Sequence, residues 1–195
     1  NRIKDLFNPY DRGDNIAGEN YSDQDVTVDG DLSENIWKNA VWNDMKSEPA
    51  NRDSGNSKYE LEDCNISATA IVRENGLLVG IKSTDKVAYA GKILQVNNKA
   101  LLSAFAQTGV SIYFCDSADT VTGGRPCYEI GFSAAGSIRC YYRDANITSE
   151  MILSQASVKS KIDGQVNSSD NNGYSIEAFI PWSDLQGIGD GEIES

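Results

Sequence analysis

The sequence predicts an all-β protein, an antiparallel β-sandwich of the jelly-roll type with little helix. Three observations carry that prediction. Short segments alternate apolar and polar residues, as in "ISATAIVRE", "VSIYFC" and "CYEIGFS", which is the period of a half-buried strand. Turn-forming pairs such as Asn75-Gly76 and Ala135-Gly136 separate these segments. Almost no stretch repeats apolar residues at helical spacing over several turns, so the layers available to bury a core are sheets.

Residues 1–25 mix Asp, Asn, Gly and Arg without periodicity and are expected to form a loosely ordered polar leader, with the sandwich over 26–195. In "VTVDGDLSENIWKNAVW" (26–42) the pattern reads as a short strand, an Asp-Gly turn and a brief helix. Ser33 is placed to cap that helix, and Ile36, Trp37 and Ala40 fall at helical spacing. Residues 46–58 are rich in breakers and read as a loop. "ISATAIVRE" and "GLLVGIKST" then flank Glu74-Asn75-Gly76, an Asn-Gly hairpin signal. Residues 86–108 are irregular and look like a long excursion. "VSIYFC" and "CYEIGFS" follow as strands joined by the Gly-rich "DSADTVTGGRP", and "SIRCYYRD" returns through Ala135-Gly136. After another loop, "GYSIEAFIPWSDL" alternates and breaks at Pro181.

Composition narrows the functions. Seventeen basic against 29 acidic residues give a formal charge of −12, a field that repels nucleic acid and anionic membranes. A neutral ligand, a cation or a basic protein surface are the partners left. The chain has no histidine, which removes Ser-His-Asp and Cys-His nucleophiles, His-containing zinc sites and His-ligated haem. No apolar run approaches the roughly 20 residues of a membrane-spanning helix, so membrane insertion is not expected. Cys64, Cys115, Cys127 and Cys140 contain no CxxC pair, against a zinc cage or thioredoxin-type motif. An even cysteine count in a Ser- and Asn-rich acidic chain suits an oxidising compartment, and a secreted or cell-surface location is expected. Sequons at Asn20, Asn65, Asn146 and Asn167 permit glycosylation.

"VDGDLSENIWKNAVW", "ATAIVRENGLLVGIKSTD", "GVSIYFCD" and "GYSIEAFIPWSDLQG" resemble, in sequence order, the blocks of family 9 carbohydrate-binding modules and the related DOMON-like sandwich domains, over roughly residues 26–190. The resemblance implies a jelly-roll sandwich that binds sugar without catalysis. It implies that Trp37 and Trp182 are core residues, as large indoles usually are, while Trp42 is either core or rim. It also implies a first stacking aromatic at Phe105, just before "GVSIYFCD". The family's polar contacts would fall on that strand and its partner, where this chain carries Ser111, Glu129 and Gly131, a set that differs from the charged and amide residues expected there. The second stacking aromatic would belong to a C-terminal segment past "GIGDGEIES", so the closing strands are expected beyond residue 195 or from elsewhere.

The residues alone also mark a face. If the loop over 116–126 closes a hairpin centred on Val121, Cys115 faces Cys127, Tyr113 faces Glu129 and Ser111 faces Gly131. A second hairpin centred on Ala135 puts Arg139 beside Gly131 and Tyr141 beside Glu129. Ser111, Tyr113, Glu129, Arg139 and Tyr141 would then share one polar face, with Phe105 at its edge. Aromatic plates with a few fixed donors and acceptors suit a sugar; cross-strand pairs on a solvated sheet would look the same. Cys115 and Cys127 are expected to form a disulfide, leaving Cys64 and Cys140 to pair or to remain buried thiols. No cofactor is called for; structural calcium is the one ion expected. Its oxygen ligands would come from acidic turns, with Asp85, Asp116 and Asp119 as candidates and Asp29 and Asp31 at a further turn, although Asp is also a common turn former. Glu129 has no partner carboxyl on its face, so glycoside hydrolysis is not expected. The expected function is therefore a non-catalytic carbohydrate-binding module, with a structural or adhesive surface domain of the same fold as the alternative.

Overall fold

The structure, a computed structural model, describes residues 22, 24–45, 65–86, 88, 94–96, 99–101, 108–115, 127–143 and 148–185. Most of the polar leader therefore lies outside the described residues. The elements are α1 (Asn35–Lys38), β1 (Asn43–Met45), β2 (Ile66–Val72), β3 (Gly76–Ser83), β4 (Leu94–Val96), β5 (Lys99–Leu101), β6 (Gly109–Cys115), β7 (Cys127–Ser133), β8 (Ile138–Arg143), β9 (Thr148–Met151), β10 (Ser157–Ile162), β11 (Tyr174–Pro181) and α2 (Trp182–Leu185). A five-stranded sheet runs β1-β2-β3-β11-β10, a four-stranded sheet runs β6-β7-β8-β9, and β4 pairs with β5. All pairings are antiparallel. The fold is the all-β sandwich that the strand pattern predicts. Among the described residues no helix is long and apolar enough to cross a membrane.

The β2–β3 hairpin forms where the Asn-Gly signal sits, but glycine serves there for a different reason. Val72 pairs with Leu77 and the Arg73 N–H donates to the Gly76 carbonyl at 2.9 Å, so Glu74 and Asn75 make the turn and Gly76 begins the strand. A Cβ at Gly76 would lie 2.5 Å from the Ile180 carbonyl oxygen and 2.7 Å from the Phe179 ring. What β11 requires of Gly76 is room.

Strands β9 and β10 stand where a loop was expected. Their burial alternates between exposed and half-buried, as on a sheet edge. The inward face of β10 carries Ser160 between Val158 and Ile162, and its hydroxyl donates to the Ala134 carbonyl at 2.7 Å. A hydrogen-bonded serine at a core-facing position dilutes the apolar alternation on which sequence reading depends. The outward lysines, Lys159 and Lys161, suit an edge strand that must not recruit another chain.

The main core joins both sheets through Leu77, Val79, Ile81, Ile130, Phe132, Ile176 and Ile180, each at most 1% exposed. A second cluster lies on the opposite side of the five-stranded sheet. There Ile36 and Trp37 from α1 pack with Ile71 and Leu78, flanked by Val26, Val28, Leu32, Trp42 and Phe179. The N-terminal segment thus covers the outer face of this sheet, and β11 is buried on both sides. Residues 26–28 are not a strand; Val26 and Val28 contribute packing instead. The cap is also corrected. Glu34 rather than Ser33 precedes α1, with no side-chain cap bond. Ser33 N–H is taken by Asp31 Oδ1 at 3.0 Å and Asp31 N–H by Asp29 Oδ1 at 2.8 Å, so successive Asp turns occupy the stretch where the cap was expected.

Both expected core indoles are buried, in different clusters. Trp37 is fully enclosed and lies over Gly80, where a Cβ would be 2.7 Å from its ring. Trp182, 5% exposed, belongs to the main core and grips the β2–β3 turn: its Nε1–H donates to the Arg73 carbonyl at 3.0 Å and its N–H to Asn75 at 3.2 Å. Trp42 is a rim residue, half-buried against Trp37, with the Lys82 ammonium 3.8 Å from its ring centre.

Glu177, on the outer side of β11, is fully buried beneath the N-terminal segment. Its carboxylate accepts from Asp29 N–H at 2.9 Å, Gly30 N–H at 3.0 Å and Trp37 Nε1–H at 3.1 Å. Burial pushes its pKa up, and the donors oppose that rise. Gly30 adopts φ +87°, and a Cβ there would meet the Ser160 backbone at 2.8 Å, so the Asp-Gly turn can lie this close to β10 only with glycine.

Two expectations follow. Trp37→Ala and Trp182→Ala should each cost about 3–5 kcal/mol, as other buried aromatics do, measured by chemical denaturation; a parent-like midpoint for both would contradict this packing. Cys140 is a fully buried free thiol whose pKa is pushed up to about 12 by burial and by the charge of Glu129. Of its two expected states, the buried thiol is the one observed, and Cys64 lies outside the described residues. Peptide mapping after iodoacetamide treatment at pH 8 should find Cys140 unmodified in native protein and alkylated after unfolding.

Candidate functional site

The described part of the N-terminal segment packs on the five-stranded sheet, and on the outer face of the four-stranded sheet the register brings the expected residues together. Ser111 pairs with Gly131 and Gly131 with Arg139. In the next row Tyr113 pairs with Glu129, Glu129 with Tyr141 and Tyr141 with Glu150, so these residues stand abreast across β6, β7, β8 and β9. Alternation fixes this arrangement: Val110, Tyr128, Ile130, Phe132, Cys140 and Tyr142 point into the core, and their neighbours must point away. Phe105 lies outside the described residues, so the expected edge of the face is not described.

The residues on this face differ in accessibility. Tyr113 is 44% exposed and presents its ring to solvent, while Ser111, Arg139 and Tyr141 are half-buried. Glu129, expected to meet a ligand directly, is only 2% exposed. It sits between Tyr113 and Tyr141, and its charge is felt instead by the Cys140 thiol in the core side of the same sheet. Arg139 is engaged as well. Its Nε–H donates to Glu150 Oε1 at 3.0 Å, and its guanidinium lies 4.5 Å from the centre of the Tyr141 ring. The sequence reading missed Glu150, because β9 was not legible as a strand. Arg139 braces Tyr141 from one side through a cation–π contact, which reduces the conformational freedom that a stacking ring would lose on binding.

The other expected site residues are more scattered. Asp85 is half-buried after β3, and its N–H donates to Ser83 Oγ at 3.0 Å. Its proposed companions Asp116 and Asp119 lie outside the described residues. Cys115 and Cys127 stand opposite each other as the last pair of the β6–β7 ladder, and their side chains lie outside the described residues. A depression of about 390 Å³ exists at the end of the five-stranded sheet, lined by Ser83, Lys161, Asp163, Asn172, Tyr174 and Ser175. Its one aromatic, Tyr174, is 5% exposed and offers no plate for stacking.

No protein-family model matches the chain, and no curated protein sequence does. Among solved structures, a candidate carbohydrate-binding protein of Bacteroides uniformis superposes with a TM-score of 0.56 at 11% identity, covering 80% of this chain and 68% of that one. Two structures of a family 9 carbohydrate-binding module from Caldicellulosiruptor kristjanssonii also match, one with cellotriose and one with glucose. Their TM-scores are 0.42 and 0.40 and their identities 19% and 18%; each match covers 83% of this chain, and 66% and 67% of those chains respectively. This chain shares its fold with the Bacteroides protein.

Proposed function

We propose that this chain is a non-catalytic carbohydrate-binding module whose ligand stacks on the outer face of the four-stranded sheet. One observation carries the reading: an exposed Tyr113 ring stands in the same row as the braced Tyr141 ring on the outer face of the four-stranded sheet. Sugars present apolar C–H faces that pack on aromatic rings, and hydroxyls that exchange hydrogen bonds with groups such as Ser111 and Arg139. Phe105 would extend the platform, as the resemblance to family 9 modules implies. Glu129, buried in the same row between the two tyrosines, acts on the ligand through the positions of those rings.

Stacking with a few solvent-exchanged hydrogen bonds gives weak binding, with dissociation constants of roughly 1 μM to 1 mM, about 4 to 8 kcal/mol. Titration calorimetry against gluco- and xylo-oligosaccharides and microbial polysaccharides should detect it. Tyr113→Ala should weaken binding about tenfold or more, worth about 1.4 kcal/mol, with little change in melting temperature because the ring is exposed. Phe105→Ala should abolish binding in a folded domain. The absence of heat from every glycan would favour the structural or adhesive alternative, for which the closed Arg139–Glu150 pair already speaks.

A secreted or cell-surface setting belongs to the same proposal. The facing backbones of Cys115 and Cys127 support a disulfide across the β6–β7 loop, worth roughly 3 kcal/mol for a loop of this size. Non-reducing peptide mapping should recover the two cysteines joined; free thiols at both positions in protein made in an oxidising compartment would overturn it.

A further inference from the structure

Strands β6 and β9 are the two edges of the four-stranded sheet, and one row of outward side chains crosses it from edge to edge. Tyr113 on β6 pairs with Glu129 on β7, Glu129 with Tyr141 on β8, and Tyr141 with Glu150 on β9. Neighbouring strands lie about 4.8 Å apart, so the backbones under Tyr113 and Tyr141 stand about 10 Å apart and the whole row spans roughly 14 Å. Between the two rings comes Glu129, only 2% exposed. The aromatic surface of the row is therefore divided in two, on alternate strands.

A parallel row runs beside it. Ser111 pairs with Gly131 and Gly131 with Arg139, so a hydroxyl and a guanidinium stand two strands apart on one flank of the tyrosines. Gly131 has no side chain to place between them. Both rows repeat one spacing, with an interacting group on β6 and another on β8. Arg139 ties the rows together, since its guanidinium lies 4.5 Å from the centre of the Tyr141 ring.

A pyranose unit lengthens an extended chain by close to one strand spacing, about 5 Å. A single sugar can cover one of these rings but not both. In a β-1,4-linked chain the bonds leave each ring equatorially and successive units turn over, so the chain runs straight and alternate units present the same face. Those alternate units stand two strand spacings apart, as the two tyrosines do. Chains linked α-1,4 or β-1,3 curve, and they cannot hold two units on rings set in one line across a sheet.

We propose that this face takes the interior of an extended β-1,4-linked polysaccharide laid across the strands, with alternate units stacked on Tyr113 and Tyr141 and hydroxyls toward Ser111 and Arg139. This rests on the sugar reading and adds to it the class of chain, its direction and the number of units read. Four strand positions correspond to four units. No chain end is needed, because the row runs to both edges of the sheet.

Titration calorimetry of the full chain against cello- and xylo-oligosaccharides of one to six units tests the proposal. Affinity should rise about tenfold or more between the disaccharide and the tetrasaccharide, as the second ring comes into use. A hexasaccharide whose reducing end has been converted to the alditol should bind as its parent does. Tetrasaccharides linked α-1,4 or β-1,3 should bind about tenfold or more weakly. In Tyr113→Ala, with folding checked by the melting temperature, the step between disaccharide and tetrasaccharide should vanish. Equal affinity for one and four units, loss of binding on reducing the chain end, preference for a curved chain, or a length step that survives Tyr113→Ala overturns this inference while the sugar reading stands. Heat from no glycan at all overturns the sugar reading, and the inference falls with it.

Discussion

A single buried carboxylate holds the N-terminal segment to the sandwich. Glu177 sits at the middle of β11 with no exposure to solvent and gathers two backbone N–H groups and one indole N–H from residues about 140 positions earlier. A carboxylate in that position is costly unless its lone pairs are used, so the Asp29-Gly30 turn and Trp37 are bound to one geometry. Everything that covers the outer face of the five-stranded sheet depends on it. Trp37 can lie flat on β3 only because residue 80 is glycine, and Trp42 then packs on Trp37 and donates its Nε1–H to the Trp37 carbonyl at 2.9 Å. The opening pair of tryptophans is thus an anchor of the fold.

That cover divides the labour between the two sheets. The five-stranded sheet is packed on both sides, with Leu77, Val79 and Ile81 inward and Leu78 and Gly80 under the N-terminal segment. Among the described residues the four-stranded sheet meets the main core on one side, and its other side carries Tyr113, Arg139, Tyr141 and Glu150. The second sheet thus presents an exposed aromatic ring at Tyr113, whereas the outer side of the first is closed by Trp37 and its neighbours.

The burial of Glu129 follows from the same register. Tyr113 and Tyr141 are its direct neighbours on adjacent strands, and side chains on one face of paired strands stand close enough to touch. Its influence then runs through the sheet, where it adds to the burial that raises the Cys140 pKa, and a residue that looked like a ligand contact in a linear pattern becomes a support for the residues above it.

Sequence by itself determined three strand pairings, β2 with β3, β6 with β7 and β7 with β8. Period-2 alternation in 66–83 and 109–143 sets which side chains face the core, because a slip by one residue would expose the apolar set. The pairs Cys115–Cys127, Tyr113–Glu129 and Gly131–Arg139 were readable for that reason, while the burial of Trp37 and Trp182 was legible through the family resemblance and the size of the indoles. Where a serine stood in the apolar series, as at Ser160 in β10, the signal was lost, and β9, four residues with Met151 as its one apolar side chain, gave too little alternation to reveal Glu150. Accessibility and long-range convergence were beyond local pattern altogether. That Glu129 is buried is not written in its alternation, and Asp29, Glu34 and Glu177 meet only because a turn, a short helix and a central strand pack together. Alternation records which face a side chain takes; only the packed tertiary structure decides what else stands on that face and which distant residues arrive to cover it.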